Sequence, residues 1–317
     1  VTLLLAGDFL VRGAVNLALR LGISALLVSL TVVAFGTSAP ELLIVLSAMA
    51  DGASGLAMGN VIGSNTANIL LVLGLPALIA GLHTADFFPK KSFLLMILAT
   101  VLFIGLAFCG PFTWWHGGIL LAVLLCILWD QGRSAQRDRQ AAKTAALVAV
   151  EEDGLEGVDP TMPGWKIALY LMFGLVGLPI GARVLVVNAE LIAKDYGVPE
   201  TAIGLTLIAV GTSLPELATT TIAAFRRQGD VALGNVIGSN MFNLLAIIGI
   251  AAFVAPIPVD AALLRFDLWI MLAASLLLIP FVFTKLNFNR IWGAGLTLLY
   301  MVTLTHLLGL TCQTLNM

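Results

Sequence analysis

The sequence predicts an all-α integral membrane protein: ten transmembrane helices arranged as two inverted repeats of five, with interrupted helices meeting near the midplane. Three observations carry this. Hydrophobic residues make up 60% of the 317-residue chain and charged residues only 11%, with a mean hydropathy of +1.04. So little charge does not suffice to solvate a water-facing surface of this size. Apolar runs of roughly 20 residues, the length that crosses a ~30 Å hydrocarbon core as a helix, recur along the chain. Finally, one polar-studded stretch occurs twice, at residues 36–74 and 211–249.

The ruler of helix length places spans at 1–20, 24–49, 55–81, 92–110, 113–130, 165–192, 200–225, 230–256, 264–284 and 289–310. A membrane β-barrel would instead show short alternating strands. Residue 1 already lies inside an apolar run, so the sequence is expected to begin after a few missing residues, and it shows no cleavable signal pattern. Cys109, Cys126 and Cys312 have no motif spacing and read as small apolar residues. His83, His116 and His306 are scattered and form no metal-ligating cluster in sequence. Trp114, Trp115, Trp129, Trp165 and Trp292 fall near span ends, where the indole ring anchors at the interface.

Basic residues set the orientation. With an external N-terminus, the cytoplasmic connections carry Arg20, Lys90, Lys91, Arg133, Arg137, Arg139, Lys143, Lys166, Arg226, Arg227, Lys285 and Arg290. The outer connections hold Lys194 and Arg265. By the positive-inside rule both termini should lie outside the cytoplasm, with a bacterial inner membrane as the expected location.

The repeat is gapless at an offset of 211 − 36 = 175, and 18 of its 39 positions are identical. Shared greasiness would spread identities over Leu, Val and Ile. Here they concentrate in Gly, Thr, Ser, Pro, Glu and Asn, which marks duplication. The register runs backward too, pairing Gly22 with Gly197, Thr31 with Thr206 and Ala34 with Ala209. Five spans per copy is odd, so the second copy enters from the opposite face. Inverted repeats of this kind are a common build of secondary transporters. Residues 1–130 then form the first repeat, 131–163 a polar cytoplasmic linker and 164–317 the second repeat. "AAKTAALVAVEE" in the linker has the composition of a short helix.

Each copy contains Gly-Thr-Ser-x-Pro-Glu followed by Gly-Asn-x-x-Gly-Ser-Asn-x-x-Asn. Pro40 and Pro215 lack an N–H and clash with the carbonyl four residues earlier, so each breaks its helix. Nearby carbonyls, those of Ala34, Thr37, Ala209 and Thr212, are expected to turn aside; at bilayer depth that is tolerable only beside a cavity or a ligand. Glu41 and Glu216 follow the prolines, at helical spacing from Thr37 and Ser38 and from Thr212 and Ser213. An ionisable residue inside a span marks a functional site. Ser64 with Asn68, and Ser239 with Asn243, share a helical face four residues apart. The combined set offers oxygen and neither imidazole nor sulfur, which suits a hard cation such as Ca²⁺.

Other polar positions read as structural. Gly59, Gly63, Gly234 and Gly238 have the four-residue spacing of close helix packing. Asn60, Asn65, Asn235 and Asn240 read as caps or cross-helix hydrogen bonders ahead of ligands. Asp8 and Arg183 occupy equivalent positions with opposite sign, and read as snorkelling or paired charges. Asp51 and Asp230 read as solvated loop charges.

The paired elements resemble the α-repeats of the calcium/cation antiporter superfamily, specifically its Na⁺/Ca²⁺ exchanger branch. The resemblance implies that Glu41 and Glu216 coordinate Ca²⁺ and Na⁺, with main-chain oxygens from Thr37, Thr212, Ala34 and Ala209. It implies outer Na⁺ ligands at Ser38, Ser213, Ser64 and Ser239, and a central polar pair at Asn68 and Asn243. Relatives that use an acid at one of these last positions include the potassium-dependent ones; Asn at both disfavours K⁺ co-transport. The proton-coupled branch carries Gly-Asn-x-x-Glu at the carboxylate, unlike this chain.

The expected function is secondary antiport of Na⁺ against Ca²⁺ by alternating access, with Ca²⁺/H⁺ or other divalent-cation antiport as the alternative. An intramembrane hydrolase would need a nucleophile or zinc motif, and neither Gly-x-Ser-x-Gly nor His-Glu-x-x-His occurs. A channel is the third class, disfavoured by internally paired, inverted sites. No enzyme activity and no cofactor are expected. The partners are the transported Ca²⁺ and Na⁺ and membrane lipid, with no nucleic acid, and the chain is expected to act as a monomer.

Overall fold

A computed structural model describes residues 1–82, 90–137, 159, 161–196, 209–284 and 286–315. Regular structure among them is helical, apart from two isolated antiparallel bridges, Leu82 with Phe288 and Phe112 with Ile257. Most of the linker, the expected helix within it, His83, Gly197, Thr206 and Lys285 lie outside the described residues.

Helix α1 (Thr2–Leu21) stops at Gly22, whose φ of 66° only glycine adopts without strain. Ser24 then caps the next helix, its hydroxyl accepting from the Leu27 N–H at 3.3 Å. The second span is segmented: α2 (Ala25–Val28), a π turn (Ser29–Val33), α3 (Ala34–Thr37) and α4 (Ala39–Ala50). The third runs as α5 (Ser54–Ala67), a π turn (Asn68–Val72) and α6 (Gly74–Ala80). Then come α7 (Lys90–Phe108) and α8 (Trp114–Arg137).

The second half follows the same plan. α9 (Gly164–Asp195) is followed by α10 (Ala209–Thr212) and α11 (Leu214–Phe225). Next are α12 (Gly229–Met241), a π turn (Phe242–Ile247) and α13 (Ile248–Val254). A π turn (Leu263–Asp267), α14 (Leu268–Leu276), α15 (Ile279–Thr284) and α16 (Arg290–Leu315) complete it.

Among the described residues, eight helical runs are long and apolar enough to cross a membrane: Thr2–Leu21, Ala25–Ala50, Ser54–Ala80, Lys90–Phe108, Trp114–Ser134, Gly164–Asp195, Gly229–Val254 and Leu263–Thr284. Of the two other expected spans, 200–225 is described only from residue 209, and its α11 is about 18 Å long at 1.5 Å per residue. The other, 289–310, is the α16 helix.

The helices bearing Gly-Asn-x-x-Gly-Ser-Asn lie at the centre: 78% of the Ser54–Ala80 window and 89% of the Gly229–Val254 window are buried, against 22% for Gly164–Asp195. Glycine sets the close approaches. A Cβ on Gly174 would lie 2.6–2.8 Å from Leu10, so α9 meets α1 backbone to backbone. Gly234 and Gly238 likewise press α12 onto Leu26, Leu30 and Ala34, as packing glycines should. Gly59 and Gly63 have no described neighbour within 4 Å. By the 175 offset their counterpart segment is 201–209, of which 201–208 is outside the described residues.

Trp114, Trp129 and Trp165 are largely exposed, and Cys109 and Cys126 are free thiols at exposed positions. Lys91 pairs with Asp130 at 2.6 Å, tying α7 to α8, a half-exposed pair that contributes little. The described end of the linker docks on α1, where the Asp159 N–H donates to Asn16 Oδ1 at 2.9 Å. Thr161, through its hydroxyl and its backbone N–H, holds the Asp159 carboxyl below the usual carboxylate range. Asp230 departs from the solvated reading: it is half-buried, and its Oδ1 accepts from the Val231 N–H at 2.8 Å.

Candidate cation site

Both prolines break their helices in the same way. Ser38 has φ −85° and ψ 0°, and Ser213 has φ −87° and ψ 6°; each ends one helix and precedes the next. Pro40 and Pro215 sit in the first turns of α4 and α11, where a missing N–H costs nothing. The last turn before each break differs. The Ser38 N–H donates to Ala34 O at 3.0 Å, whereas the Ser213 N–H donates to Val210 O at 3.2 Å. Ala34 O also accepts from Thr37 Oγ1 at 3.3 Å, so this carbonyl is engaged within its own turn and does not turn aside as expected.

Glu41 and Glu216 lie in the first turns after the breaks, beside the positive ends of α4 and α11, and both are fully buried. Glu216 Oε1 accepts from Ser38 Oγ at 3.2 Å and from Ser239 Oγ at 3.5 Å, so one carboxylate is held by hydroxyls of both copies. Thr37 Oγ1 lies 3.4 Å from Ser239 Oγ and donates to Asn235 Oδ1 at 3.2 Å. Neither oxygen of Glu41 has a protein partner, nor does Glu216 Oε2.

A second interruption escaped the sequence reading. The helices carrying the Asn motif pass into π turns at Asn68–Val72 and Phe242–Ile247, equivalent places that include Asn68 and Asn243. A π turn widens the helix and often marks a functional site. No proline or unusual residue signals it; the duplicated Asn is the sequence trace it leaves.

Asn65 and Asn240, 175 residues apart, exchange hydrogen bonds reciprocally. Asn65 Nδ2 donates to Asn240 O at 3.2 Å and Asn240 Nδ2 to Asn65 O at 3.3 Å. Such an exchange is what a two-fold relation between the copies requires. Asn240 Oδ1 also accepts from Asn68 Nδ2 at 3.0 Å, which fixes the Asn68 amide with its Oδ1 unpaired. Asn235 bridges copies by accepting from Thr37 while donating to Thr220 Oγ1 at 3.2 Å. At the equivalent positions of the first copy Val45 stands where Thr220 does, and Asn60, the counterpart of Asn235, has its Nδ2 unpaired. The Asn residues read as cross-helix bonders thus bond across helices at 65, 235 and 240. Asn240→Ala removes a donor and an acceptor from this buried network. The expected loss is about 1–3 kcal/mol, read as a lower Tm in detergent.

Ser64, Ser213 and Asn243 are buried with side-chain oxygens that lack a protein partner. Thr212 is buried at the end of α10, and Ala209 begins that helix. Together with Glu41, Glu216 and Asn68, these residues place carboxylate, hydroxyl and amide oxygens in the buried interior. Unsatisfied polar atoms are costly there unless something is coordinated. Two acids diluted by neutral oxygens match a hard divalent or monovalent cation and offer nothing to a soft metal.

The family model described as sodium/calcium exchanger protein matches residues 1–131 and 166–309. The sodium/calcium exchanger MaX1 of Methanosarcina acetivorans is 31% identical, covering 97% of this chain and 95% of its own length. The inner membrane protein YrbG of Escherichia coli is 33% identical, covering 86% of this chain and 82% of its own. A solved structure of the sodium-calcium exchanger NCX_Mj, soaked with Na⁺ and Ca²⁺, superposes with a TM-score of 0.79 at 29% identity, covering 96% of this chain and 94% of that one. The chain belongs to the sodium/calcium exchanger protein family, a family of membrane antiporters and not of enzymes.

Proposed function

We propose that the protein exchanges Na⁺ for Ca²⁺ across the membrane by alternating access, with the ions seated between the two copies. The observation that carries this reading is that Glu41 and Glu216 are each fully buried beside a matched helix break, among oxygens that lack protein partners, with Ser38 of the first copy held by Glu216 of the second. Glu41 and Glu216 supply the charge. Thr37, Thr212 and Ala209 supply main-chain oxygens, joined by that of Ala34 once it gives up its bonds to Ser38 and Thr37; Ser38, Ser213, Ser64 and Ser239 supply the outer Na⁺ ligands, and Asn68 and Asn243 the central amides. Residues 1–130 and 164–317 are inverted five-helix repeats joined by the 131–163 linker, which gives ten spans. Both halves of the site come from one chain, so a monomer suffices. The NCX_Mj and MaX1 names support Na⁺ as the coupling ion, and YrbG supports an inner-membrane location.

The charge count gives a test. Two ionised glutamates contribute −2, which one Ca²⁺ cancels. Three Na⁺ on the return leg, as the family resemblance implies, leave +1, and Asn68 and Asn243 have no charge to offset it. One charge per cycle is worth about 2.3 kcal/mol per 100 mV. Na⁺-driven Ca²⁺ flux in proteoliposomes clamped with valinomycin should therefore follow the imposed potential. Flux indifferent to potential would mean electroneutral exchange, with two Na⁺ or two H⁺ per Ca²⁺.

The charge bias further supports both termini lying outside the cytoplasm. A cysteine introduced near the C-terminus, in a background lacking the three native cysteines, should react with an impermeant reagent in intact cells. Reaction only after permeabilisation would reverse the orientation.

A further inference from the structure

The two copies are arranged differently about the site. Ala218 on α11 is 3% exposed, while its equivalent Leu43 on α4 is 68% exposed. The source is one seam. α1 packs along α11, with Gly7 against the main chain of Ala218 and the side chain of Ile222, and α9 makes no comparable packing with α4.

An ion pair holds the closed seam. Arg226, just past α11, donates from Nε to Asp8 Oδ1 of α1 at 2.6 Å, and a second guanidinium nitrogen contacts the same oxygen. Arg12 lies against the other carboxylate oxygen at 2.9 Å. The side chains of Arg226 and Asp8 are 11% and 22% exposed, so the pair is shielded more than a surface bridge.

Mapping this pair through the repeat gives 8 + 175 = 183 and 226 − 175 = 51, which are Arg183 and Asp51. The pair recurs with its signs exchanged. Arg183 and Asp51 are both exposed and form no ion pair with any described residue. The turns that present Asp51 and Arg226 are nevertheless alike. Gly52 and Arg227 both have positive φ, 73° and 54°. The Ala53 N–H reaches Ala48 O at 2.7 Å, and the Gln228 N–H reaches Ala223 O at 2.8 Å. Asp51 is thus offered to α9 in the geometry in which Arg226 already meets α1.

We infer that these four charges form two alternative latches. Asp8–Arg226 holds α1 against α11 in the arrangement described here, and Arg183–Asp51 holds α9 against α4 in the opposite one. Each closes one seam while the other opens, which is what a two-state carrier needs to avoid opening at both faces. The inference rests on the alternating-access reading.

The test reads conformation apart from flux. In a background lacking the native cysteines, spin labels at Ala53→Cys and Asp195→Cys report the separation of the α4 and α9 ends by pulsed EPR in lipid nanodiscs. Asp8→Asn should raise the ratio of short to long separations about tenfold, and Asp51→Asn should lower it. The double variant should return towards the parent, as should the exchanged pair Asp8→Arg/Arg226→Asp. The latches are refuted if Asp8→Asn and Asp51→Asn leave the ratio unchanged or move it in the same direction. They are also refuted if the exchanged pair behaves like Asp8→Asn. Ca²⁺ flux of the same parent protein separates the two claims. A parent that transports but whose ratio ignores both pairs sinks the latches alone. A parent that carries no Ca²⁺, yet whose ratio responds as stated, sinks the transport reading and keeps the latches.

Discussion

Replacing Glu41 or Glu216 with glutamine should reduce Ca²⁺ exchange to background while the protein still inserts and folds. Glutamine keeps the size and one acceptor oxygen but removes half of the site's formal charge. At an effective dielectric constant near 20, a unit charge ~4 Å from a monovalent cation is worth about 4 kcal/mol, and more for Ca²⁺. That corresponds to at least a thousandfold loss of affinity. The two substitutions should differ in the ion-free protein. Neither Glu41 oxygen has a protein partner to lose, so Glu41→Gln should cost the ion-free fold little. Glu216 accepts from Ser38 and Ser239, bonds that a glutamine oxygen retains only in one amide orientation. In the parent, Ca²⁺ at 100 times its Kd should stabilise the fold by about 2.7 kcal/mol, seen as a raised Tm. Both variants should lose that shift, and ⁴⁵Ca²⁺ uptake near the parent rate by either would remove the two carboxylates from the site.

Gly238→Val should be the most damaging substitution at a residue that contacts no ion. A Cβ there would lie 2.5 Å from Leu30 O and from Ala34 Cβ, so the obstruction includes main chain that no rotamer can relieve. Either α12 moves away from the broken second span, or the site's two halves separate. Overpacking of this kind costs about 3 kcal/mol, to be read as a lower Tm together with loss of uptake. Gly105→Ala on α7, whose Cβ would meet nothing within 4 Å, serves as the control and should leave both unchanged. Parent-like stability of Gly238→Val would mean that the two copies do not meet as closely as described.

Much of this site was legible before any coordinates, for a physical reason. Polar residues are so costly in hydrocarbon that Gly-Thr-Ser-x-Pro-Glu stands out, and finding it twice removes chance. The break at Ser38 and Ser213, and the burial of the glutamates, follow from proline chemistry and helical spacing. Periodicity could not reveal the π turns at Asn68 and Asn243, because a wider turn leaves no compositional mark beyond the repeated Asn. Nor could it assign the partners of Asn65, Asn235 and Asn240, which depend on how two distant copies face each other. The Ala34 carbonyl illustrates the limit of local reasoning. Proline withholds a donor from Gly36, yet the turn ending at Thr37 still closes onto Ala34. Asp8 and Arg183 were visible as a sign-exchanged pair; that only Asp8 finds its partner is a property of the conformation.

The central claim is that Na⁺ and Ca²⁺ compete for one buried site built by Glu41 and Glu216. ⁴⁵Ca²⁺ uptake into Na⁺-loaded proteoliposomes, with an outward Na⁺ gradient and no pH gradient, tests it directly. Ca²⁺ should accumulate in proportion to the Na⁺ gradient, fall to background when internal Na⁺ is replaced by choline, and be absent with Glu41→Gln. Uptake that ignores Na⁺ but follows an imposed pH gradient would contradict it.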